Sequence, residues 1–129
     1  MELTEKANGL RREMNEVVFL RWDCTAVERD YQRLLRQALD GEDVDYGLLG
    51  FLERERRAYR KALAHHRAKN WARLSRAAVS DPFVRRLFTL RYAMGYSWRV
   101  IAQMTGRPRQ EVLAAHDAAL SAMAEEVTV

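Results

Sequence analysis

One cysteine, Cys24, stands among the 129 residues. No intramolecular disulfide and no cysteine-based zinc site can form, which favours a reducing compartment. Proline and glycine are also scarce, two and six residues, so long stretches run without a backbone breaker. No apolar run approaches the roughly 20 residues that span a bilayer. The opening Met1-Glu2-Leu3-Thr4-Glu5-Lys6 lacks the basic-then-apolar order of a secretory signal. The expected location is therefore the cytoplasm.

The chain does have apolar residues at 48% and charged residues at 31%, enough of the first for a core and too many for disordered composition. Alanine, leucine, arginine and glutamate are abundant, all good helix formers. The expected fold is all-α. The net charge of +4 is unevenly spread along the sequence. Residues 1–42 carry 7 basic and 9 acidic side chains, residues 43–79 carry 9 and 4, and residues 80–129 carry 6 and 5.

Helical periodicity organises the chain. Leu3, Ala7, Leu10, Met14 and Val17 fall three and four apart and predict a first helix from about Glu2 to Trp22. Asp23-Cys24-Thr25 reads as an interruption, with Thr25 and Glu28 spaced as a capping box for a second helix. That helix carries Val27, Tyr31, Leu34 and Ala38 on one stripe, and Gly41 closes it. A third helix is expected from near Asp45 to the breaker Ser80-Asp81-Pro82, with Leu49, Leu52, Tyr59, Leu63, Trp71 and Leu74 on its buried side. Roughly 34 residues span about 50 Å, long enough to need a partner helix or a second copy. Arg56, His66 and Asn70 interrupt its stripe, so a helical hairpin or bundle fits better than a continuous parallel coiled coil. Two regions are expected: 1–79, a helical dimerisation or interaction region, and 80–129, a compact three-helix domain.

In that last region Asp81 caps and Pro82 opens a helix that ends near Met94, before Gly95. Ser97 caps a short helix from Trp98 to about Thr105, closed by Gly106, and Pro108 opens a final helix to about Glu126. Ile101, Ala102 and Met104 are expected to pack beneath the inward stripe Val112, Ala115, Ala119 and Leu120. Such a unit projects the start of its last helix outward, as DNA-binding helix-turn-helix units do.

Leu90-Arg91-Tyr92, Gly95, Ser97-Trp98, Val100-Ile101-Ala102, Gly106, Val112, His116 and Ala119-Leu120 together make a pattern. It resembles region 4 of sigma-70-type factors, and especially the ArpU-like phage regulators built on that module, over about a quarter of the chain. The resemblance implies a transcription regulator of phage or prophage origin, with double-stranded DNA as partner and RNA polymerase as a further one. It also implies that Ser97, Trp98, Arg99, Arg107, Arg109, Gln110, Leu113 and Ala114 form the DNA-contacting set. A homodimer is expected, because two half-sites add affinity to a module that covers little DNA.

Several features of the sequence weigh the other way. The outward positions of the last helix are Arg109, Gln110, Leu113, Ala114, Asp117 and Ala118, of which only the first two suit base edges, and Asp117 opposes phosphate. The competing reading is a helical interaction protein, or a phage assembly or packaging component, that keeps the module for structure. The basic run through Arg54, Arg56, Arg57, Arg60, Lys61, Arg67, Lys69, Arg73 and Arg76 is more often a solvated helix face than a phosphate track. Trp71 and Trp98, at helical spacing, read as core. His65 and His66 point to different sides of a helix and cannot share one metal ion well. With no phosphate loop and no nucleophile beside a base, no catalytic residue, metal or cofactor is expected.

Overall fold

A computed structural model describes residues 3–76 and 81–126. They form helices and connecting turns, with no strand among them. In order they are α1 (Glu5–Met14), α2 (Glu16–Leu39), α3 (Tyr46–Arg76), α4 (Pro82–Phe88, continued by a π-helical turn over Thr89–Ala93), α5 (Trp98–Thr105) and α6 (Arg109–Glu126). No helix among the described residues is long and apolar enough to cross a membrane.

The first break falls at Asn15, not at Asp23-Cys24-Thr25. Asn15 N–H still bonds Arg11 O at 2.9 Å, but Val18 N–H reaches only to Asn15 O, three residues back. The Met14 carbonyl thereby loses its ordinary helical donor. The expected capping box at Thr25 is corrected as well. The Thr25 hydroxyl donates to Arg21 O at 2.8 Å, a bond compatible with an unbroken helix. Glu28 faces Arg56 and not a free N–H. Thr4 caps the chain's first helix, accepting from Ala7 N at 3.2 Å. The end of the third helix expected near Ser80, and the expected boundary between 79 and 80, lie outside the described residues.

Two compact units divide the chain, and they do not follow sequence order. One is Met1–Val18 with His66–Val129; the other is Phe19–His65.

The first unit holds the core. One cluster joins Ala7 and Met14 of α1 to Phe88, Tyr92, Leu120, Met123 and Ala124. A second joins Leu87 and Leu90 to Ile101 of α5 and Val112 of α6. Ala102 and Ala115 pack against the second cluster, and Ala119 and Leu74 against the first. Met104, expected beneath α6, is instead 45% exposed. Trp71, expected in the core, is 53% exposed.

Asn70 of α3 is the polar centre of this unit, only 1% exposed. Its side-chain Nδ2 donates to Met14 O at 3.0 Å and Tyr92 O at 2.8 Å. Both are carbonyls that a regular helix would satisfy. One is released by the break at Asn15, the other lies in the π turn. Arg73 Nη1 donates to Asn70 Oδ1 at 3.4 Å and fixes the amide's orientation. Arg73 also pairs with Glu13. The interruption that Asn70 makes in the apolar stripe is thus a tertiary bond.

In the second unit α2 and α3 run side by side. Arg56 grips Glu28 with two hydrogen bonds of 2.7 and 2.8 Å, and its guanidinium lies 4.4 Å from the Tyr31 ring centre. The bridged residues flank the turn at 40–45 almost evenly, so the helices are antiparallel. Gly41 turns the chain at φ 82°, as its position predicts. Leu63 is this unit's sole buried hydrophobic residue among those described.

Candidate nucleic-acid interface

The segment from Asp81 to Glu126 takes its shape from local chemistry. The Asp81 carboxylate accepts from Phe83 N at 2.9 Å, and Pro82 follows where no N–H is needed. After the π turn, Tyr96 N–H bonds Leu90 O at 3.0 Å across Gly95, which sits at φ 74°. Ser97 Oγ then accepts from Val100 N at 3.3 Å and starts α5. Gly106 at φ 68° ends it, donating to Ala102 O at 3.0 Å. Pro108 lies just before α6, not within it, and its carbonyl accepts from Val112 N. Arg86 Nη2 donates to Met104 O at 3.3 Å, satisfying a carbonyl at the C-terminal end of α5.

His116 links the two core clusters. Its ring stacks on Phe88 with centres 5.2 Å apart and meets Trp98 edge-on at 4.7 Å. Nδ1 lies 2.9 Å from Asp117 Oδ1, and Nε2 lies 2.5 Å from the Tyr92 hydroxyl. A carboxylate can only accept, so Nδ1 carries the proton and Nε2 accepts from Tyr92 O–H. Burial lowers the His116 pKa, although Asp117 pulls it the other way. Burial likewise pushes the Tyr92 phenol above its ordinary range. Asp117, which from sequence alone faces phosphate, is engaged in holding this imidazole.

The residues expected to touch DNA divide into two groups. Arg99 on α5, with Arg109, Gln110 and Ala114 on α6, are exposed, and Leu113 is half-buried. Neither Arg99 nor Arg109 has an ion pair among the described residues. The others are engaged within the fold. Ser97 is a cap. Trp98 is half-buried between His116 and Arg91, whose guanidinium lies 4.8 Å from the indole centre. Arg91 Nη1 also donates to Tyr96 O at 3.0 Å, and burial lowers its pKa. Arg107 lies 3.8 Å over the Phe83 ring and pairs with Glu111 at 3.1 Å.

Charge sorts by compact unit more sharply than by sequence segment. Phe19–His65 carries nine basic and nine acidic side chains, so the entire +4 excess belongs to Met1–Val18 with His66–Val129. Reading by consecutive segments missed this, because a division at residue 43 splits the acidic turn, and one at residue 79 joins the basic stretch 54–61 to residues of the other unit. Sequence reading also missed Asn70 and the Tyr92–His116–Asp117 chain of hydrogen bonds. Only a buried polar residue inside an apolar stripe could have signalled them. Among the described residues, no group of three or more His, Cys, Asp and Glu side chains could hold a metal ion.

Compared with known families, curated proteins and solved structures, the chain has no match.

Proposed function

We propose that this protein is a DNA-binding transcription regulator of phage or prophage origin. Residues 81–126 act as a sigma-region-4-like helix-turn-helix whose last helix enters the major groove. The observation that carries the reading is the start of α6 and its neighbour α5. There Arg99, Arg109 and Gln110 stand exposed, the two arginines free of carboxylates, in the unit that holds all the net positive charge. Unpaired arginines can release counterions from phosphate or read guanine, and Gln110 suits adenine. The first backbone N–H groups of α6 are also open to a phosphate oxygen. Arg107 adds less, since Glu111 offsets its charge. A second copy of the chain would supply the second half-site that such modules use.

Gel-shift titration on a nonspecific duplex tests this. The protein should bind at about 50 mM salt and lose affinity steeply by about 200 mM. Arg99→Ala and Arg109→Ala should each flatten the salt dependence by about 0.9 in log–log slope. No binding at the lower salt would refute the reading. It would favour the interaction protein, which the capture of Trp98 and Arg107 within the fold also suits.

A further inference from the structure

We propose that the Phe19–His65 unit pairs end for end with the same unit of a second chain, forming an antiparallel four-helix interface. This deepens the dimer element of the function proposed above and is tested separately from DNA binding.

Two helices cannot enclose a core, and this pair buries only Leu63. Large apolar side chains remain in solvent at both ends. Near the turn, Leu39 is 78% and Tyr46 67% exposed, with Leu48 and Phe51 beside them in sequence at 45% and 50%. At the opposite end Phe19 and Trp22 are each more than half exposed and touch in a T-shaped contact of 6.2 Å. Single exposed leucines are ordinary, but six large residues on a 47-residue unit with one buried hydrophobic are not.

Charge selects the occupant and its direction. Residues 34–53, around the turn, carry one basic and five acidic side chains. The remainder of the unit, 19–33 and 54–65, carries eight basic and four acidic. The two ends are therefore equal and opposite, −4 and +4. The acids Asp40, Glu42, Asp43 and Asp45 are exposed, as are Arg54, Arg57, Arg60 and Lys61. Within that +4 Glu28 pairs with Arg56 and Arg60, while Glu53, at the border of the acidic end, pairs with Arg57.

A parallel neighbour would set acid on acid and base on base. A copy rotated by a two-fold axis brings each acidic turn to the other's basic end, and the exposed apolar residues beside each turn towards the other's Phe19 and Trp22. The surface is then self-complementary, as an isologous dimer requires. α2 measures about 30 Å from Phe19 to Leu39, several times the roughly 8 Å screening length at physiological salt. The two ends therefore act as separate patches, not as a neutral average.

Sedimentation equilibrium of the full chain tests the pairing. The native chain should be dimeric at micromolar concentration. Asp40→Lys with Asp43→Lys should weaken association on the order of tenfold or more, as should Arg57→Glu with Lys61→Glu. Adding Glu42→Lys and Arg54→Glu to these four in one chain changes the ends from −4 and +4 to +2 and −2, restoring opposite charge in exchanged positions, and this chain should associate more tightly than either pair alone. These are exposed sites, and circular dichroism checks that helicity is kept. The restored chain also excludes misfolding as the cause of loss. A native monomer, a dimer indifferent to either pair, or no recovery in the sixfold chain would each overturn the proposal. A monomer that still shifts DNA would refute this pairing alone, and a dimer that binds no DNA would refute the function alone.

Discussion

Replacing Asn70 by leucine isolates the bond that ties α3 to the rest of its unit. Leucine keeps the branching and the number of side-chain heavy atoms but has no donor, so the Met14 and Tyr92 carbonyls lose the bonds of 3.0 and 2.8 Å now made to Nδ2. Neither has a ready substitute, since Val18 N–H is committed to Asn15 O and the site is sealed from water. A buried acceptor left without a donor costs about 1–3 kcal/mol, so two cost about 2–6 kcal/mol. The extra apolar burial of leucine returns about 1 kcal/mol. A net loss of about 3 kcal/mol is a large part of the 5–15 kcal/mol typical of a domain, and corresponds to at least ~10 °C in melting temperature for a unit this size. Urea and thermal unfolding followed by circular dichroism would measure it. Asn70→Asp keeps the shape but turns acceptor against acceptor, and should lose at least as much at neutral pH. If Asn70→Leu unfolds within about 0.5 kcal/mol of the native chain, the two bonds do not hold the unit together, and the account given of the Asn15 break is wrong.

Three other outcomes are expected. His116 has a folded-state pKa below its ordinary 6.5, so the unfolded chain takes up the proton first. Stability should be full above pH 6.5 and fall as the pH drops below it, and His116→Gln should flatten that slope in urea titrations between pH 7.5 and 5.5. Glu28 is held down from 4.5 to about 2, first by its hydrogen bond from Arg56. Its stabilising effect is complete above pH 4.5 and lost towards pH 2, and Glu28→Gln should remove this acid-side loss from the pH profile of helicity. The two glycine positions should respond oppositely to alanine in thermal melts. Gly106→Ala meets no atom within 4 Å but must hold φ 68°, costing about 1–2 kcal/mol, whereas Gly9→Ala, inside α1 and equally unobstructed, should gain about 0.5–1 kcal/mol.

The sequence by itself determined the helical class and the punctuation of its last third. Asp81, Pro82, Gly95, Ser97 and Gly106 act on backbone groups within a few residues of themselves, so their chemistry is readable wherever they stand. What the tertiary structure decided involves partners far apart in sequence. Thr25 and Glu28 satisfy the capping-box spacing, yet the helix continues because Arg56, 28 residues away, takes the carboxylate. Asn15 breaks the first helix without a proline or a glycine, and the break is tolerated because Asn70, on another helix, supplies the missing donor. Arg56 and Asn70 look like faults in an apolar stripe until their partners are known. The same holds for Asp117, an apparent obstacle to phosphate that orients the buried His116. A local pattern states which bonds a residue can make, and only the packed chain settles which acceptors and donors are left for it.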